Sequence, residues 1–460
     1  MNVLLISTYE LGRQPFGLAS PAAWLKQAGA SVTSVDLAAQ QLSRELIATA
    51  DLIAFYVPMH TATRIAVRAL EQVKAVNPRA HLCFYGLYAP ANEAFLRRLG
   101  AQTLLGGEFE QGLVALVQRL SENGHASLKG GQREPLISLG RQHFLVPDRS
   151  GLPGLGKYAH LTLSTGEHRT VGYAEASRGC KHLCRHCPIV PVYEGRFRVI
   201  QREVVLEDIR RQVAAGARHI TFGDPDFFNG PRHAVAIVQD LHGEFPHLTY
   251  DVTIKVEHLL KHSDHLPTLR DTGCLFVTSA VESFDDRVLE ILGKHHTAED
   301  CGRTVALFRG AGLTFVPTFV AFNPWTTLRG YREFLAAILR LHLVENVAPI
   351  QYAVRLLIPA RSKLLDLPEV RELVGEFDEA ALCYPWSNPD PAVDRLCAEV
   401  LEVVKPARAK HKSRWEIFGE VWKLAHESCG IDAAKSIRVL ESTDMLPRER
   451  IPYLSEPWFC

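Results

Sequence analysis

Several things are missing from this 460-residue chain, and each absence narrows what it does. There is no net charge: 51 Lys and Arg stand against 51 Asp and Glu. Composition therefore sets up no field that would draw the chain to bulk nucleic acid or to an anionic membrane. No apolar run approaches the roughly 18 residues that a membrane span needs. The opening MNVLLISTYELG lacks a basic segment and turns polar by Ser7, unlike a secretory leader. Ten cysteines are present, yet Cys83, Cys274, Cys301, Cys383, Cys397, Cys429 and Cys460 lie far apart. Disulfide frameworks belong to short secreted chains, so a reducing, cytoplasmic setting is expected. No G-x-G-x-x-G follows the first apolar run, which disfavours dinucleotide binding.

What is present is ordinary globular composition, 47% hydrophobic and 22% charged, in a chain long enough for two or three domains at roughly 150 residues each. NVLLIS (2–7), SVTSVDL (31–37), DLIAFYVP (51–58), HLCFYGL (81–87) and QTLLGG (102–107) read as strands. Helical stretches such as SPAAWLKQAGA (20–30) and RIAVRALEQVKA (64–75) lie between them. Alternation at this spacing predicts a parallel sheet covered on both faces, with any ligand outside the carboxyl ends of the strands. Residues 121–170 lose periodicity and are rich in Gly and Pro, which marks a linker. A connection this long often drapes over a site, although a passive surface path is equally open.

Alternation resumes at 171. VGYAEAS (171–177), HITFGD (219–224), TYDVTI (249–254), CLFVTSAV (274–281), LTFVPTFVA (313–321) and IQYAVRLLI (350–358) are the strand candidates. In VVLEDIRRQVAAG, Val205, Ile209 and Val213 repeat as a core-facing helical stripe. Six such units predict a barrel or partial barrel with its chemistry at the carboxyl ends of the strands. Just after the first of them stands ASRGCKHLCRHCPIV, with Cys180, Cys184 and Cys187 as C-x3-C-x2-C and His182 and His186 interleaved. Structural zinc ordinarily takes four ligands from paired knuckles, and no second pair follows: the next histidine is His219 and the next cysteine Cys274. A Cys3His site through His182 or His186 stays conceivable but cramped.

C-x3-C-x2-C in this place resembles the radical S-adenosylmethionine (SAM) motif. The resemblance implies a [4Fe–4S] cluster on three thiolates, with the fourth iron left for the amino and carboxylate groups of SAM. It further implies reductive cleavage of SAM to a 5′-deoxyadenosyl radical, with the electron supplied by a donor such as flavodoxin or ferredoxin. Soft thiolates suit such a cluster. The position before the last cysteine, usually aromatic in the family and set against adenine, is His186 here. ITFGDPDFF stands where the family carries a Gly-Gly-Glu-like motif, so Gly223 and Asp224 are expected near the SAM ammonium, with Asp226 as a second carboxylate. In SAVESFDDRVLEILGKHHT, Glu282 and Ser283 are expected at the ribose or methionine end. Lys255 and Arg355 are cations that could meet the SAM carboxylate, with structural ion pairing as the alternative for each.

The first 120 residues resemble the cobalamin-binding domain that precedes many radical SAM enzymes, through QPFGLASPAAWLKQAG, SVDL and GGEFEQGL. Thr8, Gly17, Thr61, Gly86, Gly107 and Glu108 are the cobalamin candidates which that resemblance implies. Where histidine-ligated cobalamin proteins carry Asp-x-His-x-x-Gly, this chain has STYELGRQPFG, so only cobalamin bound without a histidine ligand stays open, beside a plain structural or docking domain. The expected architecture is thus α/β: a doubly wound, cobalamin-binding-like sheet at 1–120, a linker at 121–170, a partial (β/α)6 radical SAM barrel at 171–360 and a mainly helical extension at 361–460. Within that extension KPARAKHKSRW (405–415) is locally basic and is expected to be a solvated face. The whole chain, including LLISTYELGRQPFGLASPAAWL and the ending EPWFC, resembles the CUAEP/CCAEP-tail radical SAM (seleno)protein family. On that reading Cys460 is a redox tail residue and a selenocysteine codon was read as a stop. Two functions stay open at this level: a radical SAM enzyme acting on an unidentified small molecule or peptide, by cobalamin-dependent methylation or another radical modification, and a cobalamin- or redox-sensing iron–sulfur protein without turnover.

Overall fold

The computed structural model describes residues 1–123, 134–163, 165–407 and 412–431 and the short strand Tyr453–Leu454. Cys460 and part of the basic 405–415 stretch lie outside the described residues.

The first sheet contains β1 (Asn2–Ser7), β2 (Ser31–Asp36), β3 (Leu52–Tyr56), β4 (His81–Tyr85), β5 (Thr103–Gly107) and β6 (Ile137–Ser138). Its order is β2-β1-β3-β4-β5-β6, all parallel. Because successive strand side chains point to opposite faces, β1 feeds two cores: Leu4 and Ile6 join one, Val3 and Leu5 the other. That is the fully covered parallel sheet the apolar runs predict. The order reverses between β1 and β3, so the crevice at their carboxyl ends is the topological switch point.

The second sheet is built from β7 (His160–Thr162), β8 (His168–Ala174), β11 (His219–Phe222), β12 (Thr249–Thr253), β13 (Cys274–Glu282), β14 (Thr314–Phe319) and β15 (Tyr453–Leu454). Five of these, β8-β11-β12-β13-β14, run parallel in chain order, and β7 and β15 extend the edge antiparallel. Between β8 and β11 a separate ribbon pairs β9 (Ser177–Gly179) with β10 (Phe197–Val199). The predicted run 171–177 is therefore broken: β8 ends at Ala174, and the chain reverses into the cysteine loop through β9. The sixth predicted strand, 350–358, is not one. It opens as a 3-10 turn, Pro349–Tyr352, and keeps a single parallel bridge, Phe322 to Arg355. The result is a partial barrel of five strands with a sixth position reduced to one bridge.

The stretch at 134–163 does more than connect. Phe144 and Leu155 enter the main core. Arg149 grips Asp208 at 2.8 and 2.9 Å while donating to Gln14 Oε1 at 2.9 Å and the Tyr173 carbonyl at 2.7 Å. One guanidinium thereby ties the loop after β1 to β8 and to the helix Arg202–Ala214. Its five-donor fork makes this four-bond clip available to Arg alone.

Candidate functional site

The cysteine loop leaves β9 at Gly179 and is pinned at several points. Cys180 N–H donates to the Arg196 carbonyl at 3.1 Å, and Lys181 N–H donates to Asn229 Oδ1 at 3.1 Å. Arg185 N–H donates to the Leu292 carbonyl at 2.8 Å, and its guanidinium donates to the carbonyls of Glu290 and Ile291. Those three carbonyls close the helix Asp286–Leu292, where orphan acceptors and the negative dipole end favour a cation. The same helix starts on Asp285, whose side chain accepts from Arg287 and Val288 N–H, and stops at Gly293 in the left-handed region, φ +66°. That stop turns the next residue, Lys294, inward.

Lys294 is 3% exposed and sits 3.3 Å from Glu282 Oε1. It also lies close enough to Cys184 and Cys187 for their thiolates to favour its charge. Glu282 accepts from His186 Nε2 at 3.1 Å as well. Burial disfavours its ionisation, but Lys294 and His186 overcome this and hold its carboxyl down at about 2. Glu282 ends β13 at φ +71°, beside a register shift, a conformation that costs a non-glycine residue roughly 1–2 kcal/mol. The strained backbone is what aims this carboxylate back over the cysteine loop. His186 Nδ1 is buried and has no partner among the described residues.

The three thiols are unpaired with one another, Cys184 buried and the other two half-buried. Burial pushes Cys180 up to about 11 and Cys187 up to about 12, and each neighbouring thiol adds to the effect. Three soft donors whose negative charges oppose one another, faced by one buried ammonium, fit a cationic iron–sulfur cluster.

On the other side of the loop, His182 Nε2 bonds Asp226 Oδ2 at 3.1 Å, and its Nδ1 lies 3.2 Å from Lys255 Nζ. His258 Nδ1 is 2.7 Å from the same Asp226 oxygen, and its ring lies 4.5 Å from that of His182. Burial raises Asp226, but the two histidines outweigh it and leave the carboxyl below its usual range. Cys180, His182 and Asp226 place donor atoms within 4.8 Å of one another, an outline that resembles a zinc trio. The Lys255 ammonium against His182 opposes a cation there, and both ring nitrogens are already engaged. His182, a loop residue without an expected role, is instead the strut between the cluster loop and β11–β12.

The other expected SAM residues divide. Gly223 lies against Tyr173: a Cβ there would meet the Tyr173 hydroxyl at 1.7 Å, so only glycine fits. Asp224 is buried and turned toward the turn after β8, accepting from Ala176 N–H at 2.9 Å and Ser177 Oγ at 2.6 Å. Burial, only partly offset by these bonds, pushes it up to about 7. Ser283, half-buried, accepts from Asp285 N–H at 3.0 Å. Arg355 departs from expectation. It donates to Asp394 at 2.6 Å and the Trp386 carbonyl at 2.7 Å and lies 3.6 Å over the Trp386 ring. With its strand reduced to one bridge, this cation serves the C-terminal helix Pro391–Ala407 rather than the cysteine loop.

The cobalamin candidates are all engaged within the protein or closely packed. Thr8 donates to the Ala62 carbonyl at 2.7 Å, and Thr61 lies in the first turn of the helix His60–Val76. Cβ atoms at Gly17 and Gly86 would lie 2.1 and 3.0 Å from the Tyr56 ring, and one at Gly107 would lie 2.2 Å from the Ser138 carbonyl. Glu108 accepts from Tyr193 at 3.1 Å and lies 3.4 Å from Arg178.

Residues 175–326 match the family model of the Radical SAM superfamily. The central domain is a radical SAM domain. Domains of this family use a [4Fe–4S] cluster and SAM. Among curated proteins, the chain is 23% identical over 192 residues to the ribosomal protein uS12 methylthiotransferase RimO of Bacteroides thetaiotaomicron, covering 38% of this chain and 42% of that protein. It is 24% identical over 229 residues to the hopanoid C-3 methylase of Methylococcus capsulatus, covering 48% and 43%. The chain therefore spans less than half the length of these curated relatives. Among solved structures, the cobalamin-dependent radical SAM enzyme OxsB, with aqua-cobalamin and SAM bound, superposes with a TM-score of 0.73 at 16% identity over 97% of this chain and 76% of that one. The radical SAM methyltransferase TsrM from Kitasatospora setae, with cobalamin and a [4Fe–4S] cluster bound, gives 0.58 at 16% identity, covering 74% and 73%. These likenesses establish the two-sheet architecture around the radical SAM domain.

Proposed function

We propose that this chain is an enzyme that cleaves SAM reductively and modifies an unidentified small molecule or peptide through a radical. Cys180, Cys184 and Cys187 would hold the cluster, with SAM on the iron they leave free and an electron donor such as flavodoxin or ferredoxin. The single observation that carries this reading is the isolation of three thiols on one pinned loop against the buried Lys294. When bound, cluster and SAM together supply a 5′-deoxyadenosyl radical. The chain's own residues set the stage around it. Lys294 offsets thiolate charge, Glu282 holds Lys294 and His186 in place, and His186 Nδ1 offers a buried, unpartnered ring nitrogen to an adenine edge. Lys255, beside His182, and Ser283 are the remaining candidates for the methionine and ribose groups.

The access route follows from burial along the strands. Near the carboxyl ends of β12–β14, Thr253, Thr278, Ala280 and Thr318 are half-buried while Val252, Val277 and Phe319 are fully buried. One face of the sheet thus stays open to a substrate. Among the described residues no helix is long and apolar enough to cross a membrane. The likeness to the CUAEP/CCAEP-tail family rests on LLISTYELGRQPFGLASPAAWL as well as on the ending EPWFC, and genomic sequence downstream tests the tail: no in-frame UGA followed by Ala-Glu-Pro codons removes it.

The deciding experiment is anaerobic purification, cluster reconstitution and reduction with SAM present. Formation of 5′-deoxyadenosine is expected. A reconstituted cluster that yields neither 5′-deoxyadenosine nor S-adenosylhomocysteine returns the chain to an iron–sulfur binding protein without turnover.

A further inference from the structure

The fold likeness raises cobalamin as a third cofactor, and the carboxyl edge of the first sheet is where it would lie. Cobalamin is a broad corrin with a nucleotide tail, so it needs an open face over the strand ends and a slot running down between them. Here both are built over by side chains. The Tyr56 ring fills the space between Gly17 and Gly86. Tyr56, Tyr85 and Phe109 form a closed triangle, with centroids 5.1 to 5.8 Å apart, each at most 7% exposed. The Tyr85 hydroxyl donates to the Gly17 carbonyl at 2.8 Å and locks the start of the helix Phe16–Gln27 onto β4.

Above the triangle, Arg178 lies 5.3, 5.0 and 5.1 Å over the rings of Phe16, Phe109 and Phe144. It is paired to Glu110 at 2.8 Å, Glu108 at 3.4 Å and Glu175 at 2.7 Å. Gln142 Nε2 donates to Glu110 at 2.9 Å, and Ser20 Oγ donates to its other oxygen at 2.7 Å. Arg178 stands two residues before Cys180.

We infer that the strand-end face of the first sheet does not receive a corrin: its aromatic rings fill the slot, and its acidic loop braces the cluster loop through Arg178. Of the glycines that resemble a cofactor cradle, Gly17 and Gly86 are explained by the Tyr56 ring packed on them and Gly107 by the Ser138 carbonyl. The inference goes beyond the SAM-cleavage reading: it removes methyl transfer through cobalt from the reactions open to this chain. No methyl group passes through cobalt.

The test uses the full chain, purified anaerobically from cells supplied with hydroxocobalamin, with iron and corrin absorbance read on one sample. Iron without corrin absorbance is expected; stoichiometric corrinoid overturns the inference. Because corrinoid is read apart from turnover, a chain inactive on SAM still decides the point. A second measurement addresses whether the Tyr56 ring fills the space between Gly17 and Gly86. Tyr56→Ala is expected to lower Tm, as loss of a packed ring does. An unchanged Tm means that the ring fills nothing and sinks the argument.

Discussion

Arg178→Met is the most searching perturbation of this architecture, because it keeps the apolar stem and removes only the charge. Glu108, Glu110 and Arg178 are 1%, 0% and 7% exposed. Burial pushes Glu110 up, but Arg178 overcomes it and leaves that carboxyl below its usual range. Burial raises Glu108 to about 7 despite Arg178. Removing one partner of a buried ion pair costs about 3–5 kcal/mol, since the remaining charge is stranded. The sign with pH follows. In the native chain Glu110 contributes stability above its ordinary pKa of 4.5 and loses it as pH falls through the lowered folded value. Without Arg178, burial alone raises all three carboxyls, so the variant loses stability as pH climbs past the unfolded value. The deficit in urea unfolding should therefore already be present near pH 5 and grow to about 3–5 kcal/mol near pH 8. Equal deficits at both pH values, or less than about 1 kcal/mol at the higher one, would refute the electrostatic account and leave only ring packing.

Changing Cys180, Cys184 or Cys187 to Ala should abolish iron–sulfur absorbance after reconstitution, whereas His182→Ala should keep it; loss of iron in the histidine variant would make His182 a ligand. Gly223→Ala drives a methyl into the Tyr173 hydroxyl and should destabilise the chain by at least about 1–3 kcal/mol, measured by thermal unfolding. Glu282→Gln strands Lys294 and should cost about 3–5 kcal/mol in the same assay, while an isothermal titration with SAM reports whether His186 has lost its alignment. Arg355→Lys gives up the fork on Asp394 and Trp386 and should lower stability with SAM affinity unchanged, which the titration also reads.

Most strands were legible in the sequence, because a parallel sheet buried on both faces writes itself as short apolar runs. NVLLIS is the case in point: β1 covers the predicted 2–7 without a shift. IQYAVRLLI reads the same way yet folds as a 3-10 turn and one bridge. Its apolar residues are buried against the C-terminal helices: Tyr352 packs on Phe418, and Leu356 and Ile358 join a satellite core with Trp386. An apolar run records burial, not the partner that causes it.

The same limit explains the site. Cys180, Cys184 and Cys187 were legible because ligand spacing is local. Lys294 was not, although the helix-stop Gly293 just before it marks a sharp turn inward. Glu282 lies only 12 residues before it, but the thiols it faces come from an element distant in the chain. Tyr56 carries the larger lesson. In DLIAFYVP it is one more aromatic in a buried strand, while Gly17 and Gly86 look like room made for a ligand. Only their juxtaposition shows that the glycines make room for the tyrosine. A glycine pattern is evidence of close approach alone, and a cofactor is inferred from it only after the chain's own side chains have been placed. By that criterion the cysteine loop, whose donors face a buried ammonium, still calls for its cluster, and the strand-end face of the first sheet does not call for a corrin.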